Sequence, residues 1–251
     1  MVVHSVTSNQ TDIYKDLEAV VRKYASTTFL RPVADHTRTA FERACEFVRS
    51  FASQAGCTCG PFSLVLDSGC GTGESTLHLA KRFPNVPVIG IDKSAVRLTK
   101  AGNERQLENA ADCAVNGEAS VPLNAFWVRA ELLDFWRLAL EKVLTGEWKI
   151  LHHALYYPNP WPKESEATRR FHLHPIFPTM LRLAPVTELR TNWEIYAREF
   201  AEAARIAGDC LSLNVHVDCA DFSPENPETA FERKYKNACQ QLWQVLVCSS
   251  C

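Results

Sequence analysis

The sequence predicts an α/β fold in which helices cover both faces of a mostly parallel sheet. Three observations support this prediction. From Pro61 onward, short apolar segments alternate with amphipathic ones, as expected of β–α–β units. A glycine-rich turn directly follows the first apolar segment, and an acidic residue ends the second. Both features stand where strands end, which is where ligands bind in parallel sheets.

Seven strands account for the apolar segments of the predicted sheet. Five of them alternate with helices, and the last two are expected to close one edge as an antiparallel pair. Helices are predicted to start near Gly73, Ser94, Glu131 and Phe171, and a further one follows Trp193. The predicted strands are 63–66, 86–91, 125–128, 150–156, 186–190, 211–217 and 242–247.

An N-terminal helical extension is predicted to precede the sheet. Apolar residues recur at helical spacing from residue 12 to residue 24 and again over about 33–51, before glycine and proline at 56–61 end the second helix. Residues 1–10 are polar and aperiodic, so we expect them to be disordered. The predicted division is 1–60 for the extension and 61–251 for the main domain.

The composition is that of an ordinary globular protein, with 46% apolar and 22% charged residues. Lys and Arg number 27 and Asp and Glu 29, so the net charge of −2 does not indicate a nucleic-acid-binding surface overall, although a local basic patch is compatible with it. We see no secretory signal, transit peptide or apolar run of the ~20 residues that a membrane helix needs. An intracellular protein, cytoplasmic or nuclear, is therefore expected.

The ten cysteines are scattered through the chain and do not form a disulfide framework, which indicates a reducing compartment. Cys57, Cys59, Cys248 and Cys251 could together supply four thiolates for zinc. Neither pair has a partner at the spacing of zinc ribbons or fingers, so no metal site is predicted.

The turn after the first strand carries the first candidate site. It reads Asp67-Ser68-Gly69-Cys70-Gly71-Thr72-Gly73. Glycines at alternate positions let a ligand approach the backbone, and this spacing is tighter than the Gly-x-Gly-x-x-Gly of dinucleotide sites, which suits a ligand without phosphate. Asp67 adds a carboxylate for the sulfonium and amino cations of S-adenosylmethionine, the predicted cofactor. The alternative is a tight structural loop.

The next two strands end in residues suited to the rest of that cofactor. Asp92 lies 25 positions after Asp67, at the tip of the second strand, where its carboxylate could accept both ribose hydroxyls. Ala130 and Glu131 follow the third strand, where an adenine ring would be recognised. The predicted cofactor-binding residues are Asp67, Gly69, Gly71, Gly73, Asp92, Lys93, Ala130 and Glu131.

The fourth strand runs into the second candidate site, Tyr157-Pro158-Asn159-Pro160-Trp161-Pro162-Lys163. Three prolines in five residues restrict the backbone of this segment. An amide at Asn159 beside the indole of Trp161 suits a planar heterocycle, which would pair with the amide and stack on the ring. A purely structural proline-rich turn is the alternative.

Three motifs together resemble the tRNA (guanine-N7) methyltransferases. That family has Pro-Asp-Pro-Trp-Pro-Lys and a basic run, then Thr-Asp after strand five, then Thr-x-Phe/Tyr-Glu. In this chain the corresponding segments are residues 158–163 with Arg169-Arg170, then Thr191-Asn192, then Thr229-Ala230-Phe231-Glu232. They follow the same order, and the resemblance extends from about residue 62 to residue 247. The resemblance implies a Rossmann-like class I methyltransferase that acts on tRNA or another RNA. It implies Asn159, Asn192 and Glu232 as catalytic residues, and Trp161, Lys163, Arg169, Arg170, Thr191 and Thr229 as substrate-binding ones.

Departures from the family pattern bear on the substrate. Asn159 and Asn192 replace aspartates, and Glu164 and Glu166 stand in the basic run. Guanine N7 has a lone pair and no proton to lose, so these changes alter recognition more than chemistry. An exocyclic-amine methyltransferase, which has a similar Asn-Pro-Pro-aromatic turn, a small-molecule methyltransferase and a non-catalytic cofactor-binding scaffold are the alternatives. A partner subunit is left open.

Four other side chains near these motifs receive structural interpretations. Trp193 and Tyr196 recur at helical spacing and are predicted to lie in the core. His152 and His153 lie within the fourth strand and are predicted to be structural, because the sequence offers no evident carboxylate partner.

Overall fold

A computed structural model describes residues 6–99 and 122–250. Within these residues a seven-stranded sheet has the strand order β3-β2-β1-β4-β5-β7-β6. The pairs β1–β2, β2–β3 and β4–β5 are parallel, and β7 is antiparallel to both β5 and β6, which confirms the predicted sheet. The strands are β1 (Phe62–Ser68), β2 (Val88–Asp92), β3 (Ala125–Arg129), β4 (Trp148–Tyr156), β5 (Val186–Thr191), β6 (Asn214–Phe222) and β7 (Leu242–Ser250).

The helices largely follow the predicted starts. The helix predicted near Phe171 is wrong: a 3-10 turn at Phe171–Leu173 is followed by a short helix at Phe177–Leu181. Pro175 separates the two, because proline lacks an amide proton and its ring disfavours a continuous helix. The described helices are α1 (Leu17–Ala25), α2 (Asp35–Gln54), α3 (Glu74–Arg82), α4 (Ala95–Thr99), α5 (Leu132–Leu144), α6 (Phe177–Leu181), α7 (Glu194–Cys210) and α8 (Ala230–Asn237).

By proximity of Cα atoms, the chain forms two compact units, one of Val33–Leu151 and the other of Met1–Pro32 with His152–Cys251. These units differ from the predicted division at residue 60. Helix α1 packs on α7 in the second unit, whereas α2 packs on β1 and β3 in the first.

In the unit of Val33–Leu151, strands β1 to β3 form the centre of the core. Every residue of β2 is buried, as expected of a strand covered on both faces. Helix α2 presents Phe41, whose ring packs edge-on against Phe135 at 5.0 Å between centroids. The buried indole of Trp136 donates to the hydroxyl of Ser68 at 2.9 Å, which ties α5 to the end of β1. These contacts hold the carboxyl ends of β1 and β2 in place.

In the other unit, α7 packs on β5, β6 and β7. Its apolar face includes Phe200, Ala204 and Ala207, all fully buried. Trp193 and Tyr196 are buried as predicted. Strand β6 begins at Asn214, three residues later than predicted, because α7 continues to Cys210 and is followed by a turn in which Leu213 donates to the carbonyl of Gly208.

Part of the N-terminal segment is ordered, contrary to the prediction for residues 1–10. Gln10 is only 9% exposed, and its side-chain amide donates to the carboxylate of Glu199 at 2.6 Å. Polar side chains order this segment, so it lacks the apolar periodicity that would have predicted order. In the described residues, no helix has the length and apolar character needed to cross a membrane.

Both histidines of β4 are buried, and the expectation that neither has a carboxylate partner was wrong. His152 has a carboxylate partner, since its Nε2 lies 3.1 Å from Oε2 of Glu188 on β5. His153 is fully buried, and its burial, with a smaller contribution from His152, lowers its pKa to about 3. His153 is therefore neutral at physiological pH.

Replacing His153 with leucine should reduce the loss of stability on acidification. The unfolded histidine binds a proton near pH 6.5 and the folded one only near pH 3, so stability falls as pH decreases between these values. At about pH 5 the wild-type protein should have lost about 2 kcal/mol that the His153→Leu variant retains. Urea unfolding above pH 6.5 and at about pH 5 measures this difference. An identical pH dependence in both proteins would contradict it.

Candidate functional site

The glycine turn between β1 and α3 has the backbone conformation that its sequence predicted. Gly69, Gly71 and Gly73 have φ angles of +77°, +59° and +81°, in the left-handed region that favours glycine. A Cβ at Gly71 would meet no described atom within 4 Å, so the space above this residue is open. A Cβ at Gly73 would collide with the indole of Trp127. Gly73 therefore allows the turn to pack on β3, while Gly71 leaves a bare backbone surface.

Asp92 holds this turn from the tip of β2. One carboxylate oxygen accepts from the amide of Gly71 at 3.0 Å and the other from the amide of Ser94 at 2.7 Å. Asp92 is 4% exposed. An ionised carboxylate has about four acceptor positions, so these two bonds leave capacity for two ribose hydroxyls. Asp92 thus lies beside the glycine turn, and ribose binding stays a prediction.

Asp67, at the end of β1, bonds to the first turn of α3. Its Oδ2 accepts from the hydroxyls of Ser75 at 2.7 Å and Thr76 at 2.6 Å, at the start of α3. With 1% exposure, the carboxylate is enclosed by the protein, which argues against direct contact with ligand cations. It fixes the first turn of α3 relative to β1, and so supports the glycine turn indirectly.

The residues that follow β3 contact Asp92 through a backbone hydrogen bond. The amide of Ala130 donates to the carbonyl of Asp92 at 3.1 Å, and the Ala130 side chain is fully buried. Glu131 is half-buried, and its amide donates to the hydroxyl of Thr37 at 3.1 Å. Lys93 is exposed. The open turn, the carboxylate of Asp92 and this backbone edge fit an uncharged nucleoside group, as S-adenosylmethionine would present.

The proline-rich loop after β4 contains two residues with unusual backbone conformation. Tyr157 and Trp161 have φ angles of +52° and +45°, although neither is glycine. The amide of Tyr157 donates to the carbonyl of Arg190 at 2.7 Å. Asn159 is exposed, and its Oδ1 accepts from the amide of Trp161 at 3.4 Å. Lys163 is also exposed. The loop therefore presents Asn159 and Lys163 to solvent, as predicted for substrate contacts.

Trp161 is partly covered by Arg169. The guanidinium carbon lies 4.5 Å from the centroid of the indole ring, a cation–π geometry. Arg169 also lies 3.3 Å from Glu166, and its side chain is 58% exposed. In this conformation one indole face is occupied, so a base would stack on the other face or displace Arg169.

Arg170 does not have the predicted exposed position. Its side chain is fully buried, and its Nη1 lies 2.6 Å from the carboxylate of Glu199, which is also fully buried. Two other guanidinium nitrogens donate to the carbonyl of Trp161, at 3.3 and 2.9 Å. A phosphate could reach this guanidinium only by displacing these partners, so the predicted phosphate contact of Arg170 is wrong for this conformation.

Glu232 is likewise engaged inside the protein. It accepts from Arg190 at 2.9 Å, from the hydroxyl of Tyr157 at 3.0 Å and from the amide of Glu228 at 2.6 Å, and it is fully buried. Thr229 caps α8, since its hydroxyl accepts from the amide of Glu232 at 3.0 Å. The predicted direct contacts of these two residues with a base are therefore not available here. They position α8 and Tyr157.

Arg190 at the end of β5 is a residue that the sequence reasoning missed. Its guanidinium contacts three carboxylates, at 2.7 Å from Glu188, 2.9 Å from Glu232 and 3.2 Å from Glu228. Burial tends to raise the pKa of Glu188, but hydrogen bonds from His152 and Arg190 outweigh it and hold that pKa well below its usual range. The signal available in the sequence was the pair Glu188 and Arg190, two opposite charges two residues apart in one predicted strand, whose side chains therefore share one face.

The two residues that end β5 and follow it differ in accessibility. Thr191 is 2% exposed, and its hydroxyl accepts from the amide of Trp193 at 3.2 Å, so it serves the turn rather than a ligand. Asn192 is half-buried, and its amide donates to the side chain of Gln240 at 3.5 Å. Of this predicted pair, Asn192 alone has the exposure that a substrate contact needs. Among the residues described, no group of three or more His, Cys, Asp or Glu side chains could hold a metal ion.

Comparison with known sequences agrees with this architecture. A model of the family described as "Putative methyltransferase" (Methyltransf_4) matches residues 62–245, which is most of the chain. The chain belongs to this methyltransferase family. The match starts with β1 and extends into β7, so it includes both the glycine turn and the proline-rich loop of this methyltransferase.

Relatives with assigned activities include tRNA (guanine-N(7)-)-methyltransferases, which confirms the predicted resemblance. The one from Mycobacterium ulcerans is 30% identical over 180 residues, covering 70% of this chain and 59% of that protein. The one from Neisseria meningitidis serogroup C is 26% identical over 188 residues, covering 72% and 70%. A trans-aconitate 2-methyltransferase of Deinococcus radiodurans is 55% identical over only 49 residues, covering 20% and 19%.

A solved structure supports the fold independently. An antibiotic-related methyltransferase superimposes with a TM-score of 0.53 at 12% sequence identity, over 91% of this chain and 98% of that one. At this identity the likeness concerns the fold alone. The predicted Rossmann-like class I methyltransferase fold is thereby confirmed.

Proposed function

We propose that this chain uses S-adenosylmethionine to methylate guanine N7 in tRNA or another RNA. The observation that carries the proposal is the open backbone at Gly71 with the Asp92 carboxylate bonded to it. The relatives that methylate guanine N7 in tRNA support the choice of acceptor. The chain spans 59% of the first of these relatives, so the activity of the whole relative is part of the proposal.

The cofactor, when bound, supplies a methyl group on a positively charged sulfur. Asp92 would accept hydrogen bonds from the ribose hydroxyls. The backbone of Gly69 and Gly71 would lie against the ligand, and the backbone of Ala130 and Glu131 would line the adenine site. Guanine N7 has an in-plane lone pair and no proton, so no side chain of this protein has to remove one. The protein then acts mainly by orienting the reactants, which can contribute several kcal/mol, on the order of 7 in favourable cases.

The base would be recognised by the proline-rich loop. The side-chain oxygen of Asn159 would accept from guanine N1–H, while its NH2 group would donate to O6. The aromatic face of Trp161 offers stacking, and a base in folded RNA must leave its own stack to reach it. The exposed cations Lys163 and Arg169 would contact phosphates, whose neutralisation makes RNA affinity salt-dependent.

The acceptor can be identified by incubating the protein with labelled S-adenosylmethionine and total tRNA and then separating the nucleosides. We expect the label in 7-methylguanosine. Label in an N-methylated adenosine or cytidine would support the exocyclic-amine alternative and contradict guanine N7. Label only in small molecules would contradict an RNA substrate, and binding of adenosylhomocysteine without any transfer would support a scaffold role.

Replacing Asn159 with alanine should lower kcat/KM for the RNA substrate by roughly 10- to 100-fold, because two hydrogen bonds to the base are lost. The Kd of adenosylhomocysteine should not change, since Asn159 is not among the predicted cofactor-binding residues. Steady-state kinetics and calorimetry measure the two effects. Ser165→Ala, a change at an exposed residue after the loop, is the control and should leave kcat/KM unaltered. An unchanged kcat/KM for Asn159→Ala would remove this residue from the base site.

A further inference from the structure

The backbone of the proline-rich loop needs external support. Trp161 has a φ angle of +45°, a conformation that a residue with a Cβ adopts only when its surroundings impose it. Prolines on both sides restrict the chain but supply no amide protons that could hold it. Within the loop, the amide of Trp161 donates only to Oδ1 of Asn159, at the long distance of 3.4 Å, so the further contacts come from other segments.

Arg170 supplies the first of these contacts. Its Nε and Nη2 both donate to the carbonyl of Trp161, and its guanidinium lies 4.8 Å from the ring centroid of Trp193. Because a guanidinium is planar, two donors on one carbonyl and an aromatic ring against its face define its position closely. A buried arginine thus holds the carbonyl of the residue whose indole is predicted to stack on the base.

Glu199 on α7 holds the arginine in turn. Its carboxylate accepts from Arg170 at 2.6 Å and lies 2.8 Å from Nε2 of His172. Burial tends to raise the pKa of Glu199, but the bonds from His172 and Arg170 outweigh it and lower the pKa to about 2. The carboxylate is therefore charged at physiological pH and compensates the buried cation.

Three consecutive residues of the N-terminal segment complete the arrangement. The hydroxyl of Ser8 donates to the carbonyl of Pro162 at 2.5 Å, and Asn9 accepts from the amide of Glu164 at 3.3 Å. Gln10 accepts from Nη2 of Arg170 at 2.9 Å and donates to Glu199 at 2.6 Å. Ser8 thus contacts the loop, Asn9 contacts the residue after the loop, and Gln10 contacts the arginine that holds the loop.

We propose that Ser8, Asn9 and Gln10 form a strap that, together with Arg170, positions Asn159 and Trp161 for the substrate base. The strap contacts the backbone directly after Trp161, while Arg170 contacts Trp161 itself. A role limited to general stability would not require polar contacts at these successive points of one loop. The effect on the substrate rests on the proposed function, whereas the effect on the loop does not.

The test uses the full-length variants Gln10→Ala and Ser8→Ala, singly and together, and hydrogen exchange of the amides of Asn159, Trp161 and Glu164. We expect exchange at these three amides about 10-fold faster in the double variant than in the control, with a smaller change at the amides of β5, because the lost contacts lie at the loop. The KM for tRNA should rise by roughly 5-fold, while the Kd of adenosylhomocysteine stays constant. Asp12→Ala is the matched control, because it removes an exposed ion pair of the same segment with Arg198 and no contact to the loop.

A second variant covers the case in which Gln10 and Ser8 are dispensable for the loop. Arg170→Lys keeps a charge beside Glu199 but cannot place two donors on one carbonyl, so it should accelerate exchange at Trp161 as strongly as the double variant does. Unchanged exchange in the double variant would overturn the strap, and unchanged exchange in Arg170→Lys would overturn the role of the arginine, whether or not RNA is the substrate. Faster exchange with an unaltered KM for tRNA would also overturn it. Absence of methylation by the wild-type protein would instead count against the proposed function.

Discussion

Replacing Asp92 with alanine is expected to weaken the binding of adenosylhomocysteine by about 100-fold or more. The change removes a charged acceptor for two ribose hydroxyls, and hydrogen bonds to charged groups contribute about 1.5–3 kcal/mol each. It also frees the amide of Gly71, which the Asp92 carboxylate now holds at 3.0 Å. Isothermal titration calorimetry measures the Kd directly and does not depend on the identity of the methyl acceptor.

Two further variants separate the possible causes of this loss. Asp92→Asn keeps one acceptor oxygen of similar shape and should bind more tightly than Asp92→Ala. Arg97→Ala removes only a long contact of 3.7 Å from an arginine that is 61% exposed, so its Kd should stay within about 2-fold of wild type. Adenosylhomocysteine binding by Asp92→Ala at wild-type affinity would rule out the proposed cofactor site.

Replacing Arg190 with methionine is expected to lower the free energy of unfolding by about 3–5 kcal/mol. The guanidinium is 7% exposed and is the shared partner of Glu188, Glu228 and Glu232. Removing one member of a buried ionic group leaves uncompensated carboxylates, which accounts for the size of the loss. Methionine retains much of the side-chain volume, so the loss reflects charge more than a cavity. Urea unfolding at neutral pH measures the effect.

The pH dependence of this variant supplies an independent check. The low pKa of Glu188 in the folded protein gives stability that is present at neutral pH and lost as pH falls through the carboxyl range. Without Arg190 that pKa rises, so the stability difference between variant and wild type should shrink on acidification. Arg205→Ala, which removes an exposed contact with Glu202 on α7, should change stability by less than about 1 kcal/mol at any of these pH values. A difference that stays constant with pH would mean that Arg190 acts through packing.

Individual elements show how far the sequence predicts this fold. Strands β1 to β5 were located as short, largely apolar segments that alternate with helices, a pattern typical of buried parallel strands. The helix predicted to start near Phe171 was wrong because the prediction relied on apolar periodicity and did not take Pro175 into account. Strand β6 began later than predicted because α7 continues to Cys210 and a turn follows it, which the apolar pattern of 211–217 does not indicate. Periodicity thus locates the centres of elements better than their ends.

The two candidate sites differ in how well sequence predicts them. The glycine turn depends on backbone conformation, which glycine spacing determines locally, and Gly69, Gly71 and Gly73 all have the expected left-handed φ. In the substrate region, the motifs identified the right segments but not the partners of the side chains. Arg170 and Glu232 matched family positions, yet both are fully buried against charges contributed by distant segments.

The sequence by itself determined the order of strands and helices, the glycine turn with an acid at the next strand tip, and membership of a methyltransferase family. These features depend on local backbone preferences and on apolar periodicity, which neighbouring residues define. Only the tertiary structure decided which charged residues face solvent and which are enclosed, and it joined Gln10 to Arg170 and Glu199 across more than 150 residues of chain. Whether a charge is buried depends on partners brought together by folding, and the sequence does not state which partners those are.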